Sequence, residues 1–322
     1  IDMAATGDVK FQSSNDAITV ATGKLELGNG ADLEVTTGSG NISVYGVVGT
    51  SYETVLLTTS GDVTVGAGGI GTGTTVSDVD IDGATITLQG NITTAGTGTD
   101  AGTTKAGDVD FDGNVKIDGA ITIDTDVAST ANDGKIDFGT NTINAANTGS
   151  DTESLTLQSG SGVLTLGTIG VTQPLDALSI NASDSAAAAI TLKQIGTFAG
   201  NAGVVGATTI GNASTASVDL NAAQFNFGGA TTINAAGDIT TDADINITTD
   251  ENITFYPGQT SGSLKITGDF DLVATTSNDT ITITGNIVGV DATSNETVTI
   301  QAGASNGTSG GTIVTSGSIG TE

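Results

Sequence analysis

Two acidic triplets are the residues of this sequence whose types and spacing could do chemistry. Each alternates three aspartates with two apolar residues and closes on glycine, as DVDIDG at residues 78–83 and DVDFDG at residues 108–113. Carboxylate oxygens are the ligands that Ca²⁺ prefers in proteins. The triplets therefore predict a candidate calcium site whose ligands are Asp78, Asp80, Asp82, Asp108, Asp110 and Asp112.

The triplets do not form an EF-hand loop. They match its first six positions, but the bidentate glutamate required at position 12 is replaced by Gln89 in one copy and Gly119 in the other. On adjacent coils of a stacked sheet the triplets would lie about 4.8 Å apart and repel each other. Calcium or a nearby lysine would relieve that repulsion, and a merely solvated acidic face is the alternative; the candidate lysines are Lys10, Lys116, Lys135 and Lys265.

Composition excludes several kinds of chemistry. The chain has neither cysteine nor histidine, so it cannot build a disulfide, a histidine general base or a Ser/Cys–His triad. Its 36 acidic residues against 7 lysines and no arginine give a net charge of −29, which argues against binding nucleic acid. No apolar run is long enough for a transmembrane span. We expect a protein that is not an enzyme.

A recurring phrase supplies the elements that must position the triplets. It reads Gly, then Asp or Asn, then an apolar residue, a variable residue and usually another apolar residue or Thr, and it begins at Gly7, Gly40, Gly61, Gly90, Gly107, Gly113, Gly237, Gly268 and Gly285. Strict alternation predicts half-buried β-strands, while the glycine makes a corner and Asp or Asn caps it. Spacings of about 17 to 33 residues predict an all-β fold, a parallel β-helix with irregular coils.

The repeat covers the whole chain, so we predict one continuous β-solenoid over residues 1–322, with roughly 13 coils at about 25 residues each. Residues 178–235 are the least regular part and form a candidate insertion. A short helix there and a longer coil packed with small residues both fit the alanine run 186–189. Strand starts at Ile245, Leu264, Ile281 and Val298 predict shorter coils and a narrower cross-section.

The phrase resembles the repeats of filamentous-haemagglutinin-type exoproteins and of bacterial β-strand-repeat proteins. The likeness is best at residues 235–241 (AAGDITT), 244–248 (DINIT) and 252–255 (NITF). It covers most of the chain loosely, through a short motif. What the resemblance implies is a right-handed parallel β-helix shaft on a bacterial cell surface.

These observations predict a non-enzymatic structural protein, the shaft of an extracellular fibre, adhesin or cell-surface matrix. Its expected partners are copies of itself stacked head to tail, or neighbouring repeats of a longer chain, together with surface polysaccharide. The alternative is a carbohydrate-binding or carbohydrate-processing β-helix. Such enzymes combine carboxylate-bound calcium with a basic residue, and the absence of arginine and the low aromatic content count against one here.

Overall fold

The protein is an all-β solenoid built from parallel strands. A computed structural model describes residues 2–3, 7–28, 30–50, 52–94, 99–100, 103–104, 107–127, 133–147, 152–183, 187–197, 201–242, 244–258, 262–276, 278–290, 297–303 and 310–321. Within these ranges there is no helix, and the parallel sheets stack as a solenoid of about ten turns. The predicted fold class is therefore confirmed, with fewer turns than expected.

The chain divides into two compact units, Ile1–Gly167 and Thr168–Glu322. Unit 1 holds eighteen strands: β1 (Asp2–Met3), β2 (Val9–Gln12), β3 (Ile18–Val20), β4 (Leu25–Leu27), β5 (Leu33–Thr36), β6 (Ile42–Val48), β7 (Val55–Thr58), β8 (Val63–Ile70), β9 (Val79–Leu88), β10 (Ile92–Thr93), β11 (Thr99–Asp100), β12 (Thr103–Thr104), β13 (Val109–Ile117), β14 (Ala120–Asp124), β15 (Ile136–Asp137), β16 (Thr142–Ala145), β17 (Ser154–Gln158) and β18 (Leu164–Thr165). All of their described pairings are parallel except the small β11–β12 hairpin.

Unit 2 holds seventeen further strands: β19 (Thr168–Ile169), β20 (Ala177–Ile180), β21 (Ile190–Leu192), β22 (Thr208–Ile210), β23 (Val218–Leu220), β24 (Gln224–Phe227), β25 (Thr231–Asn234), β26 (Ile239–Thr241), β27 (Ile245–Thr249), β28 (Ile253–Tyr256), β29 (Ser263–Ile266), β30 (Phe270–Ala274), β31 (Thr280–Ile283), β32 (Asn286–Gly289), β33 (Val298–Ala302), β34 (Thr312–Thr315) and β35 (Ile319–Thr321).

Three walls of stacked strands form unit 1. The first runs β2–β5–β7–β9–β13–β15–β18, the second runs β3–β6–β8–β9–β13–β16, and the third runs β1–β4–β6–β8–β10–β14–β17. The longest strands turn a corner and so belong to two walls. In the first wall one coil takes 22 residues, from Leu33 to Val55, or 30 residues, from Val79 to Val109.

The recurring glycine phrase marks corners, not coils. Gly7 and Gly107 precede the first wall, Gly40 and Gly113 precede the second, and Gly90 precedes the third. A spacing of 17 residues between two phrases, as from Gly90 to Gly107, therefore measures the distance from one wall to another. The interpretation of each spacing as one coil was wrong, although the phrase does locate the strands.

Alternation along each strand builds a thin apolar core between the walls. In β9 and β13 the apolar partners Val79, Ile81, Val109 and Phe111 are at most 3% exposed, while the intervening aspartates face outward. Stacking places each inward residue on the equivalent residue of the next coil. Coil-to-coil contact thus supplies the burial that one coil could not provide by itself.

Unit 2 also has three walls: β20–β22–β25–β28–β31–β34, β21–β23–β26–β29–β32–β35 and β24–β27–β30–β33. Ile245, Leu264 and Ile281 lie on three different walls, and the coil step from Ile245 leads to Phe270. The predicted narrowing after residue 245 is therefore wrong, because its spacings joined strands of different walls.

The candidate insertion at residues 178–235 contains strands β20 to β25, and its described part holds no helix. Of the alanine run, residue 186 lies outside the described residues, and Ala187 is buried and forms a parallel bridge to Thr215. Across the described ranges, no helix is long and apolar enough to cross a membrane.

Candidate functional site

The two acidic triplets lie on adjacent coils in register. Strands β9 and β13 pair in parallel so that Asp80 is opposite Asp110 and Asp82 is opposite Asp112. Asp80, Asp82 and Asp110 are half-buried, whereas Asp112 is exposed. Two columns of like charges therefore run along the outer face of the first wall, and we call these residues, with Asp137 described below, the acidic ladder.

The first aspartate of each triplet has a different position and a different task. The Asp78 carboxylate accepts a hydrogen bond from the backbone N–H of Asp108 at 2.8 Å, and Asp108 accepts one from the N–H of Lys135 at 2.9 Å. Both side chains thus cap the backbone of the following coil. The six predicted ligands are brought to one wall, but these two hold structure as well as charge.

This inter-coil cap recurs at the Asp or Asn of the glycine phrase in both units. The side-chain oxygen of one coil accepts the N–H of the equivalent residue on the next, at 2.7 to 3.0 Å. The acceptors are Asn41, Asn91, Asn114, Asp238, Asp244, Asn252, Asp269 and Asn286. Every one of them points toward the following coil, so the cap gives the stack a direction.

A third coil extends the acidic ladder in a way that the sequence analysis missed. Asp137 of β15 lies opposite Asp110, and the Lys135 ammonium lies 2.7 Å from Asp110 and 3.9 Å from Asp137. The signal was the alternation of residues 135–138, which repeats the triplet pattern in a shorter form. The hydrogen bond to Asp110 is the main cause that raises the pKa of Lys135.

Repulsion and burial act together on the ladder carboxylates. Burial raises the pKa of Asp80, and the charges of Asp82, Asp110 and Asp112 raise it further. Burial and the charge of Asp112 likewise raise the pKa of Asp82, against a hydrogen bond from Thr58. The ladder therefore holds negative charge at an energetic cost, and one lysine offsets part of it.

An open cleft of about 420 Å³ runs along the ladder. It is lined by Asp80, Asp82, Asp110, Phe111, Asp112, Asp137 and Gly139. The rings of Phe111 and Phe138 stack with their centroids 4.8 Å apart, on consecutive coils. These aromatic residues pack into the wall from the inside, where both are nearly fully buried.

The arrangement is not that of a formed metal centre. In the part of the chain that the structure describes, no group of three or more Asp or Glu side chains is placed so that it could hold a metal ion. The ladder could attract cations as counter-ions along its length. Calcium at the six predicted aspartates stays a prediction.

Two of the other candidate lysines lie in ion pairs elsewhere. Lys10 is 2.6 Å from Glu34 on the next coil of the first wall, and Lys265 of unit 2 is 3.2 Å from Asp238. Both pairs join neighbouring coils. Lysine therefore relieves acidic charge locally, at the acidic ladder and at two further places.

Unit 2 has a second open cleft, of about 370 Å³. It is lined by Ala223, Gln224, Asp244, Ile245, Asn246, Asp269 and Asp271. Of its carboxylates, Asp244 and Asp269 each cap the following coil. This cleft is polar, but half of the side chains that could contact a ligand are already committed to the backbone.

Glu53 is a buried acid that the sequence did not single out. It is fully buried at a corner of unit 1 and accepts hydrogen bonds from the N–H groups of Gly30, Thr50 and Tyr52 and from the Thr50 hydroxyl. Burial alone would raise the pKa of Glu53, but these hydrogen bonds outweigh it and the pKa is lowered. Its role is to hold the loop.

Comparison with known proteins adds no family: no family model, no curated protein and no solved structure matches this chain.

Proposed function

We propose that this protein is a non-enzymatic structural β-solenoid that forms the shaft of an extracellular fibre, adhesin or cell-surface matrix. Its coils stack along one direction and continue head to tail into further coils. Copies of the chain, or neighbouring repeats of a longer one, supply those coils. The resemblance to filamentous-haemagglutinin-type repeats supports a location on the cell surface.

The observation that carries this proposal is the use of the polar residues. The Asp and Asn of the glycine phrase cap the next coil in both units, and the ion pairs of Lys10, Lys135 and Lys265 join neighbouring coils. These groups thus hold the stack together. Such investment suits a protein whose function is length and stiffness.

The competing function, carbohydrate binding or processing, is favoured by one observation, the polar cleft of unit 2. Gln224, Asn246 and Asp271 line it and could hydrogen-bond a sugar. A carbohydrate-binding protein should retain soluble or insoluble polysaccharides in a pull-down, and Asp271→Ala should abolish that retention. Asp271 is chosen because substituting Asp244 or Asp269 would also remove a cap.

Calcium is proposed as a ligand of the acidic ladder, at Asp78, Asp80, Asp82, Asp108, Asp110 and Asp112. A cation bound only by the folded state raises the unfolding midpoint by mass action. Thermal unfolding in millimolar calcium, compared with chelator and with equal magnesium, measures this. An unchanged midpoint would leave a solvated acidic face as the interpretation.

Electron microscopy of native cell-surface material, with antibody against this chain, tests the shaft proposal. We expect labelled rods or filaments at the cell surface. Label confined to the cell interior, or on particles without an extended shaft, would contradict the proposed function.

A further inference from the structure

The last described coil of unit 2 leaves its apolar interior open. Ile313 and Ile319 point inward in line with Ile281 and Ile287, but they are 46% and 66% exposed, while Ile281 and Ile287 are 0% and 2% exposed. Val298 behaves in the same way and is 38% exposed. Inward positions that are sealed in the previous coil are thus solvent-accessible here.

The same coil also offers backbone for pairing without electrostatic repulsion. Among the described strand pairs, β33, β34 and β35 each have a partner on one edge only, namely β30, β31 and β32. Residues 297–303 and 310–321 contain no charged side chain, in a chain of net charge −29. We call this surface, formed by β33 to β35, the open end.

The first coil of unit 1 presents the complementary surface. Strands β2 and β3 pair on one edge with β5 and β6, and no described strand covers their other edge. Phe11, Ile18 and Val20 are half-buried there, whereas their partners one coil later are fully buried. This surface faces the preceding coil and the open end faces the following one, so the two continue a parallel ladder.

We propose that the open end binds the first coil of a second copy of this chain, with β2 on β34 and β3 on β35. Val9 then lies opposite Ile313, and Ile18 lies opposite Ile319. Because the two surfaces differ, the contact does not close on itself and it propagates into a filament. This inference rests on the proposed shaft function and gives the partner and the register of its head-to-tail contact.

A pair of neighbouring substitutions tests the contact in the full-length chain. Ile313→Lys places a charge on the inward side of β34, where a docked coil would bury it, and should weaken association at least about tenfold. Val314→Lys is the matched control, because Val314 is on the same strand, is 44% exposed and points outward. Sedimentation and negative-stain microscopy should show filaments for the wild type and Val314→Lys, and monomers for Ile313→Lys.

Disulfide trapping tests the register, which is convenient in a chain without cysteine. Residues 17 and 318 directly precede Ile18 and Ile319, so the variant Ala17→Cys with Ser318→Cys should form covalent multimers on oxidation. Opposed residues of neighbouring strands lie within the distance that a disulfide spans. The control, Ser39→Cys with Ser318→Cys, should not, since residue 39 belongs to the second coil.

Three outcomes would overturn the inference: a wild-type chain that stays monomeric, assembly that stops at a dimer, or equal effects of the two lysine substitutions. Mass spectrometry of native fibres separates this from the function. A polypeptide much larger than 31.4 kDa would show that the open end is covered by the same chain. The shaft function would then stand without self-assembly.

Discussion

At the scale of single residues, the Asp and Asn of the glycine phrase are hydrogen-bond acceptors for the next coil. Each corner leaves a backbone N–H that the strand ladder does not satisfy, and an unpaired buried donor costs free energy. The short side chain reaches it from the coil before. Asp and Asn both serve because only the oxygen is used, which explains why the phrase tolerates either residue.

Asn114 offers a test of the cap. Its side-chain oxygen accepts both the N–H of Thr142, at 3.0 Å, and the Thr142 hydroxyl, at 2.9 Å. Asn114→Ala should lower the free energy of unfolding by about 1 kcal/mol, because the N–H loses its partner. Asn114→Asp keeps the oxygen and should lose less than half as much. Denaturant midpoints with unchanged slopes would check this, and equal losses would exclude the cap.

Asp80 offers a test of charge repulsion in the acidic ladder. Its pKa is raised in the folded protein, so the resulting stabilisation is fully present below the unfolded value near 3.8 and is lost as pH rises through the folded value. Near pH 7, Asp80→Asn should therefore raise the free energy of unfolding by about 0.2–1 kcal/mol. At about pH 3, where the carboxyl is protonated, the gain should disappear.

Exposed Asp16, away from the ladder, supplies the control: Asp16→Asn should change little at either pH. A gain from Asp80→Asn that persists in acid would mean that repulsion is not its cause.

At the scale of elements, the corner between two coils depends on glycine because backbone lies directly beneath it. A Cβ atom on Gly107 would lie 1.5 Å from the backbone oxygen of Ser77 on the previous coil. Gly7 opens the same phrase in the first coil, and a Cβ there would meet nothing within 4 Å. The motif is the same in the two places, but the packing is not.

This contrast predicts opposite outcomes for one substitution. Gly107→Ala should lower the free energy of unfolding by more than about 3 kcal/mol, because the coils must separate to admit the methyl group. Gly7→Ala should leave it within about 0.5 kcal/mol. Chemical denaturation of the two variants measures this, and similar losses would mean that the glycine is needed for backbone conformation instead of stacking.

At the scale of the whole molecule, charge opposes association while the open end favours it. A net charge of −29 makes copies repel each other at low ionic strength, and salt screens that repulsion over about 10 Å at 0.1 M. The uncharged coil of β33 to β35 limits repulsion at the contact itself. Assembly should therefore depend on salt through the rest of the surface.

We expect filament formation to increase as sodium chloride rises from about 0.01 to 0.3 M, because the repulsion is screened while apolar burial is retained. Light scattering and sedimentation across this range would measure it, with Ile313→Lys as the control that stays unassembled. Filaments that dissolve as salt rises would show that ion pairs hold the copies together instead.

The sequence by itself determined the strands, their inward and outward faces and the parallel solenoid. Alternation with a period of two and glycine corners are local properties, and they are legible without knowing what lies above or below. For the same reason residues 79–82 and 109–112 were correctly read as one acidic and one apolar face. The pairing of β9 with β13 followed from the repetition of the triplet.

Only the tertiary structure decided which corner each phrase occupies and which side chains meet across coils. Spacing along the chain cannot separate a step to the next wall from a step to the next coil, so the predicted coil lengths and narrowing failed. Asp137 and Lys135 joined the acidic ladder because a loop returns β15 to the first wall. Glu53 and the caps likewise depend on partners contributed by other coils, and such contacts are set by stacking.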